Sequence, residues 1–528
     1  MSEERKAKGI VAAAMIWIVI IALLAVSYKF VVKPLLSGRE AAETGSASQY
    51  DHTVRVDLDS FSGYCVLRSP VLRNELKSKR IRLDLHDDGA DYKGRLKALR
   101  SGNAQMAVFT IDSYLAAGAD LGEFPASIVL VIDETQGADG IVAYKEGVAS
   151  IQDLDDPEAR FVLTPDSPSE FLARVVLAQF SLPSLPDKWA VNEDGAEKVY
   201  RAFRSADHDE KRAYVLWEPY ITRALEEDGA HVLLDSGKLK GYIVDVLVVE
   251  RRFLREHPEV VGAVVEGYLR TAYSYRSRGD AMGDLVVADA REAGDKLTEA
   301  QAAKLVDGIH WKNTVENYGH FGLVRPSEAG SVRHLEDMIP AIADVLVKTG
   351  RLNADPVAGG ANTLYYDQIL RDLQARDFHP AKKGDALPGL ALEFGPLDAA
   401  KQDEQLPALS DEQWGKLTPV GQMSVKPIAF GRGGARLNVQ SKRELAALAE
   451  RLNSMPGYYV LVVGHARAEG DASANQQLAS DRASAAADAL RQGGVHADRI
   501  HATTDVAAAG QGNGDAQSVS FVVGRPPY

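Results

Sequence analysis

The sequence predicts an α/β protein in three parts: an apolar N-terminal span, a long region of alternating strands and helices, and a shorter C-terminal unit of the same class. Three observations predict it. Twenty uncharged residues, Gly9 to Tyr28 (GIVAAAMIWIVIIALLAVSY), lie close to the start of the chain. From His52 onward, stretches of period-two apolar alternation exchange with stretches of helical period. Near Pro380 that alternation stops, and it resumes near Thr418.

At about 1.5 Å of rise per residue, a helix over the first stretch crosses the ~30 Å hydrocarbon core of a bilayer. Arg5, Lys6 and Lys8 precede it, so the positive-inside rule keeps residues 1–8 in the cytoplasm and makes 9–32 a transmembrane signal anchor. Lys29 and Lys33 oppose that bias on the far side. The competing reading is a cleaved signal peptide with Ala25-Val26-Ser27 as its small-residue site. A buried core helix is excluded by the absence of a polar stripe. Either way the remainder is exported, and the expected location is the inner membrane, single-pass, with the bulk of the chain in the periplasm. Residues 33–50, small and polar, read as a tether.

A chain of 528 residues implies two or three domains. Its net charge of −14 and pI near 5.4 argue against nucleic acid as a partner. The single cysteine, Cys65, forbids an intrachain disulfide, a CxxC redox centre or a thiolate zinc site, and sits among aliphatic residues as a small hydrophobe. No metal and no cofactor is expected.

In order, His52–Leu58 alternates like a strand, Ser60 to Tyr64 makes a turn, and Leu67–Leu76 reads as a helix. Ile81–Leu85 is a strand, Tyr92–Ser101 a helix, Met106–Phe109 a strand and Ile128–Ile132 another, followed by a loop, DETQGADG. Such alternation implies a mainly parallel sheet whose ligands sit at the carboxyl ends of strands.

Several segments resemble the periplasmic binding proteins of nitrate, sulfonate and taurine ABC transporters. They are the GADGIVA turn at Gly137, the Ser-rich SPSE loop at Ser167 opening a helix, the WEP tripeptide at Trp217 and the FLREHPE helix start at Phe253. The resemblance covers about Gln49 to His379. It implies a two-lobed periplasmic-binding-protein fold, type II-like, over residues 51–380. Its second lobe would occupy about 142–240, the chain crossing near Ile141–Tyr144 and returning near Gly241–Val244.

Strand-end loops offer Ser62, Tyr64, Thr110, Asp112, Gln136, Asp139, Ser167, Ser169, Trp217, Glu218 and Asp245 as ligand-binding candidates. Ser167 to Glu170 forms a helix N-terminus that either holds an anion or carries a plain capping box. Trp217 either stacks on a ligand or plugs the core. Glu218 and Asp245 would repel a bare anion, so a ligand with an amine or another donor is expected. Trp311 to Gly322 reads as a loop bordering the cleft or packed over the second lobe, and His208 as part of a solvated charged loop. No HExxH, GxSxG or Walker lysine loop is present, and no enzyme is expected.

Residues 381–417 lose periodicity and read as a linker with one short helix. Residues 418–528 follow as a βαβαβ sandwich: strand Val425–Phe430, helix Ser441–Met455, strand Tyr458–Val463, a helix from Ala474, and a last strand Ser518–Val523. The run Gly464-His465, Gly470, Asn475, Leu478, Arg482-Ala483 resembles the peptidoglycan-associating domain of OmpA-like proteins. The resemblance implies a clamp on the peptide stem in which Arg482 binds a carboxylate. Asn475 would be a helix-start cap and Leu478 core. Arg467 stands where that family has its aspartate, and Gln517 and Ser518 near its tail arginines, so the pocket takes an altered stem or none. Arg467, Asn475 and Arg482 are the peptidoglycan-binding candidates.

Together these expectations describe a membrane-anchored solute-binding protein that captures a small-molecule solute for an ABC permease or other inner-membrane partner and contacts peptidoglycan. The rival is a structural bridge between inner membrane and wall, with the binding-protein fold as a docking platform.

Overall fold

The computed structural model describes residues 49–294, 296–325, 328, 330–382, 397–402, 405–466, 471–504 and 519–527. The apolar span, most of the tether, part of the linker, Arg467, Gln517 and Ser518 lie outside them. Among the described residues no helix is long and apolar enough to cross a membrane.

Among the described residues, fifteen strands, β1 to β15 in chain order, form three sheets. The first lobe is built on β1 (His52–Leu58), β2 (Ile81–Asp87), β3 (Met106–Thr110) and β4 (Ala126–Thr135). The second holds β5 (Asp139–Tyr144), β6 (Arg160–Leu163), β7 (Ala190–Asn192), β8 (Arg212–Trp217) and β9 (Ala230–Asp235). The chain then returns to the first lobe as β10 (Val244–Glu250) and β11 (Ile309–Trp311). The first sheet has the order β11-β4-β10-β3-β1-β2 and the second β7-β6-β8-β5-β9. β4 is buried along all ten residues, as befits a strand covered on both faces with the apolar run Ile128–Ile132 at its centre, and it carries Asp133, Glu134 and Thr135 into the interior at its end.

The sheets are mixed rather than mainly parallel. β10 runs antiparallel to both β3 and β4, and β5 to both β8 and β9, because each of these strands enters its sheet from the other lobe. The chain leaves the first sheet after Thr135 and joins the second at Asp139, so the outward crossover is 136–138, ahead of the expected Ile141–Tyr144. The return crossover spans 236–243.

The helix expected over Leu67–Leu76 is two helices, Cys65–Arg68 and Pro70–Ser78. Ser69 between them is extended, with φ −64° and ψ 145°, since Pro70 disfavours helical geometry in the residue before it. The Ser69 hydroxyl caps the second helix, accepting from Leu72 N at 3.2 Å. The segment from Trp311 packs on the first lobe, not the second. Trp311 pairs with Asp133 in β4, and the Asn317 amide satisfies both the N–H and the C=O of Val131.

Four strands make the third sheet, in the order β12-β15-β13-β14: β12 (Thr418–Gln422), β13 (Tyr459–Gly464), β14 (Ile500–Thr503) and β15 (Val519–Arg525). Helices Val439–Asn453 and Ala472–Gln492 fall between β12 and β13 and between β13 and β14. The expected five-element sandwich thus carries one more strand. Val425–Phe430 is not a strand. Pro427 lacks the N–H a ladder needs, only Phe430 makes a bridge, to Leu437, and the strand forms upstream as β12. The linker contributes the short helix Asp411–Trp414.

Candidate functional site in the interlobe cleft

Three helix N-termini converge between the lobes. The helix Tyr92–Ser101 begins at Asp91, whose carboxylate accepts from Gly94 N at 2.9 Å. The helix Ile111–Leu121 follows β3 directly, with Thr110 and Ser113 joined through their hydroxyls at 2.8 Å. Opposite them, in the second lobe, Ser167 caps the helix Pro168–Gln179, accepting from Glu170 N at 3.4 Å and donating to Thr164 O at 2.6 Å. Ser167 is thus engaged as a cap. The helix Leu335–Lys348 packs against the last two helices and so touches both lobes.

Between these ends lies a cavity of about 210 Å³, its wall including Lys93, Asp112, Ser113, Ser167, Glu170 and Arg351. Its cations are engaged: Arg174 with Glu170 at 2.5 Å, Arg351 with Asp120 at 3.2 Å and with Asp166 at 3.4 Å, and Lys93 with Asp120 at 3.1 Å. The Arg351–Asp166 contact spans the cleft, as does Arg174 Nη1 donating to Thr349 O at 2.9 Å. Asp112 is different. It is 5% exposed, its Oδ1 meets no hydrogen-bond donor, and burial pushes its pKa up to about 7. An acceptor without a donor on the wall of a cavity is a place for a ligand's N–H or O–H.

Deeper in the first lobe, one row across the sheet reads Trp311, Asp133, Asp245, Thr110, each residue the register partner of the next. Asp133 and Asp245 are both buried. Burial, then mutual repulsion, drives Asp245 well above the carboxylate range; Asp133 is raised to about 7, chiefly by burial. Burial and mutual repulsion thus favour the protonated form of both carboxyls. The Tyr64 hydroxyl donates to Asp245 Oδ1, and Gly63 admits the pair, since a Cβ there would stand 2.5 Å from Asp133 Oδ2. Trp311 Nε1 donates to Gly63 O at 2.8 Å and fixes that turn.

Of the sequence candidates, Thr110, Asp112 and Ser167 meet at the cleft, Asp112 and Ser167 on the cavity wall. Ser169 is buried in the first turn of its helix with an unpartnered hydroxyl, and Ser62 is half-buried at the start of its turn. Tyr64 and Asp245 are bonded to each other inside the first lobe. Asp139 is buried at the start of β5, where desolvation raises it to about 6. Gln136 faces away from the cleft and accepts from Lys401 Nζ at 2.7 Å. Trp217 packs with the second-lobe core, and Glu218 turns back to Thr222, accepting from its N at 3.1 Å and its hydroxyl at 2.9 Å. Residue spacing missed Asp133, read as loop, and the buried pair Glu134–Lys312 at 2.6 Å. Burial raises the Glu134 pKa, but Lys312 and the Gly241 N–H outweigh it and hold the carboxyl at about 2. A signal was present: two acids end the otherwise apolar ASIVLVI run.

In the C-terminal domain, Gly464 is required because a Cβ would drive into the Ala479 carbonyl. His465 Nε2 and Ser520 Oγ are 2.9 Å apart. Asn475 is not the helix-start cap. The helix begins at Ala472, and Asp471 caps it, accepting from Ser473 N at 2.9 Å, because it is the residue just ahead of the first turn. Ala479, not the half-buried Leu478, is the core residue of that turn. Arg482 lies over the Phe430 ring at 5.2 Å and donates to Gly434 O at 3.1 Å. Arg467 lies outside the described residues. Among the described residues no group of three or more His, Cys, Asp or Glu is arranged to hold a metal.

Two α/β lobes joined by two crossovers, with a cleft between them, are a periplasmic-binding-protein-like domain, here fused to an OmpA-like domain. Residues 429–519 match the OmpA family. No curated protein matches the chain. Among solved structures, the chain is similar to the periplasmic aliphatic sulphonate binding protein SsuA of Escherichia coli, with 16% identity and a TM-score of 0.45 over 61% of this chain and 99% of that one. It is similar to the ligand binding component of an ABC-type import system of Staphylococcus aureus with zinc bound, with 13% identity and a TM-score of 0.44 over 61% and 99%. It is also similar to the desulfurization enzyme DSZB, with 14% identity and a TM-score of 0.43 over 62% and 99%. At such identities no ligand or activity carries over, and the site rests on this chain's own residues.

Proposed function

We propose that this chain is a membrane-anchored solute-binding protein of the cell envelope, which closes its lobes on a small solute bearing an amine or another N–H donor. The observation that carries the reading is Asp112: a buried carboxyl, raised to about 7, with an unpartnered oxygen on the wall of the interlobe cavity. The wall cations already have acid partners, so a bare anion would have to displace one. Thr110, Ser113 and Ser167 supply hydroxyls around the acid, and residues 9–32 hold the protein at the inner membrane. The solute passes to an ABC permease or a sensor in that membrane. The C-terminal domain contacts peptidoglycan through Arg482, and Arg467 and Asn475 are its further candidates.

Native mass spectrometry of the full chain, purified from its own host in detergent, tests the solute reading. A retained small molecule, lost in an Asp112→Asn variant, is the expected result. Clean apo protein that shows no shift in melting temperature with amines or amides would leave the bridging role, in which the lobes serve as a docking platform.

A further inference from the structure

The second lobe and the C-terminal domain are joined edge to edge. Phe180 and Met423 form an antiparallel bridge, flanked by Ser181 N donating to Gln422 O at 2.9 Å and Ser424 N donating to Gln179 O at 2.8 Å. Gln422 N donates to Gln152 Oε1 at 3.2 Å. Arg451 fastens the same edge, donating to Gln179 Oε1 at 2.5 Å and to Gln179 O at 3.0 Å. Gly421 makes the approach possible, since a Cβ there would stand 2.7 Å from Phe180 Cδ1.

The same domain also reaches the hinge. Lys240 N, in the return crossover, donates to Ser454 O at 2.7 Å. Arg333, which belongs to the first lobe, donates to Ser454 Oγ at 2.9 Å and to Lys240 O at 3.3 Å. The linker is pinned on the first-lobe side, where Lys401 N donates to Glu316 Oε1 at 3.0 Å and Ser331 Oγ to Lys401 O at 2.8 Å. Around these contacts lies a polar cavity of about 550 Å³, lined by Asp235, Lys238, Lys312, His320, Lys401 and Pro456 among others. A few directed hydrogen bonds thus cross the back of the hinge.

We propose that the C-terminal domain is a brace docked on the second lobe, which sets the angle between the lobes through Ser454. The attachment to the second lobe is a strand edge with several backbone bonds. Besides the linker's bonds at Lys401, the domain meets the first lobe through the Ser454–Arg333 hydrogen bond. When the lobes rotate about 136–138 and 236–243, the domain travels with the second lobe and the Ser454–Arg333 contact breaks. A hinge that moves a docked domain makes the two events reciprocal: whatever shifts the domain changes solute affinity by the factor with which solute shifts the domain. The brace depends neither on the identity of the solute nor on what Arg482 binds, so it can fail while the solute reading stands, and the reverse.

The experiment is a spin–spin distance measurement on the full chain in detergent, without added solute. Labels go on Lys97→Cys in the first lobe and Glu197→Cys in the second, both exposed. Three backgrounds are compared: the native sequence, Ser454→Ala together with Arg333→Ala, and Arg451→Ala. Hydrogen exchange at the Ser181 and Ser424 amides reports docking in the same samples. The brace predicts a longer and broader interlobe distance in the Ser454/Arg333 variant with exchange at those amides unchanged. In the Arg451 variant it predicts both a longer distance and faster exchange. An interlobe distance that stays at the native value in both variants overturns the proposal, whether or not exchange has risen.

Discussion

Asp112→Asn is expected to stabilise the protein at pH 8 and to destabilise it by about 1–3 kcal/mol below pH 4, where the native carboxyl is protonated and only the amide's unmet hydrogen bond separates the two proteins. The carboxyl is buried, and its pKa stands at about 7 against an ordinary 3.8. A folded-state value raised above the unfolded one means the folded chain holds a proton that the unfolded chain has released. Stability is therefore fully present below about pH 4 and is lost as pH rises toward 7. A pKa higher by about 3, at about 1.4 kcal/mol for each tenfold change in proton affinity, sets roughly 4 kcal/mol as the ceiling on what ionising Asp112 costs at pH 8. An uncharged amide removes that cost but leaves its own unmet hydrogen bond, about 1–3 kcal/mol, so a net gain on the order of 2 kcal/mol remains. For a domain of this size that is ~4 °C or less in melting temperature. The assay is differential scanning calorimetry of native and variant protein at pH 4, 6 and 8. A difference between the two that is the same at all three pH values would refute the reasoning, because a packing change carries no proton.

Three further outcomes are expected. Lys312→Met leaves the Glu134 carboxylate buried without its cation and should cost about 3–5 kcal/mol in urea unfolding; adding Glu134→Gln should return most of it. Gly63→Ala presses a methyl against Asp133 and the Phe61 ring, so a loss of about 1–3 kcal/mol is expected in urea unfolding. Arg482→Ala should abolish co-sedimentation with peptidoglycan at unchanged melting temperature of the first two lobes; undiminished sedimentation removes the proposed wall clamp.

Strands of the first lobe were legible for two reasons: β1 and β2 alternate apolar and polar residues, while β3 and most of β4 are apolar on both faces. The unbroken run in β4 allows no other reading than a buried element. The point at which the chain changes sheets was less legible. Thr135 and Asp139 sit in one continuous polar stretch, and nothing local says that β4 ends at the first and β5 begins at the second. Sequence spacing placed Asp112 and Ser167 near a cleft but could not separate them from Gln136 or Glu218. All four are polar residues at strand or helix ends. Distinguishing them requires knowing that Lys401, over 260 positions away, reaches Gln136, and that Glu218 curls back on Thr222. The C-terminal motif shows the converse. Gly464 was recognisable as a motif residue, but its reason, the Ala479 carbonyl against its Cα, is a helix-to-strand distance. The cap expected at Asn475 moved to Asp471, because several residues near a helix start can serve and only backbone geometry selects one.

Asp112, Asp133 and Asp139 are all raised by burial, to about 7, 7 and 6; the first two belong to the first lobe and Asp139 begins the second. Each lowers stability as pH climbs from about 4 toward its own value, so these carboxyls are kept at a cost that packed apolar substitutes would not carry. Natural scaffolds retain such groups where a partner is to be met. A cationic solute beside Asp112 would hold its carboxylate ionised and expel its proton. Binding of an amine at pH 6 should therefore release up to one proton per site, and the release should fade above about pH 8, where Asp112 is already ionised. Calorimetric titration in two buffers of different ionisation enthalpy measures this directly. A binding enthalpy independent of buffer at pH 6 would place the amine away from Asp112, and with it the donor-accepting role of that residue would fall.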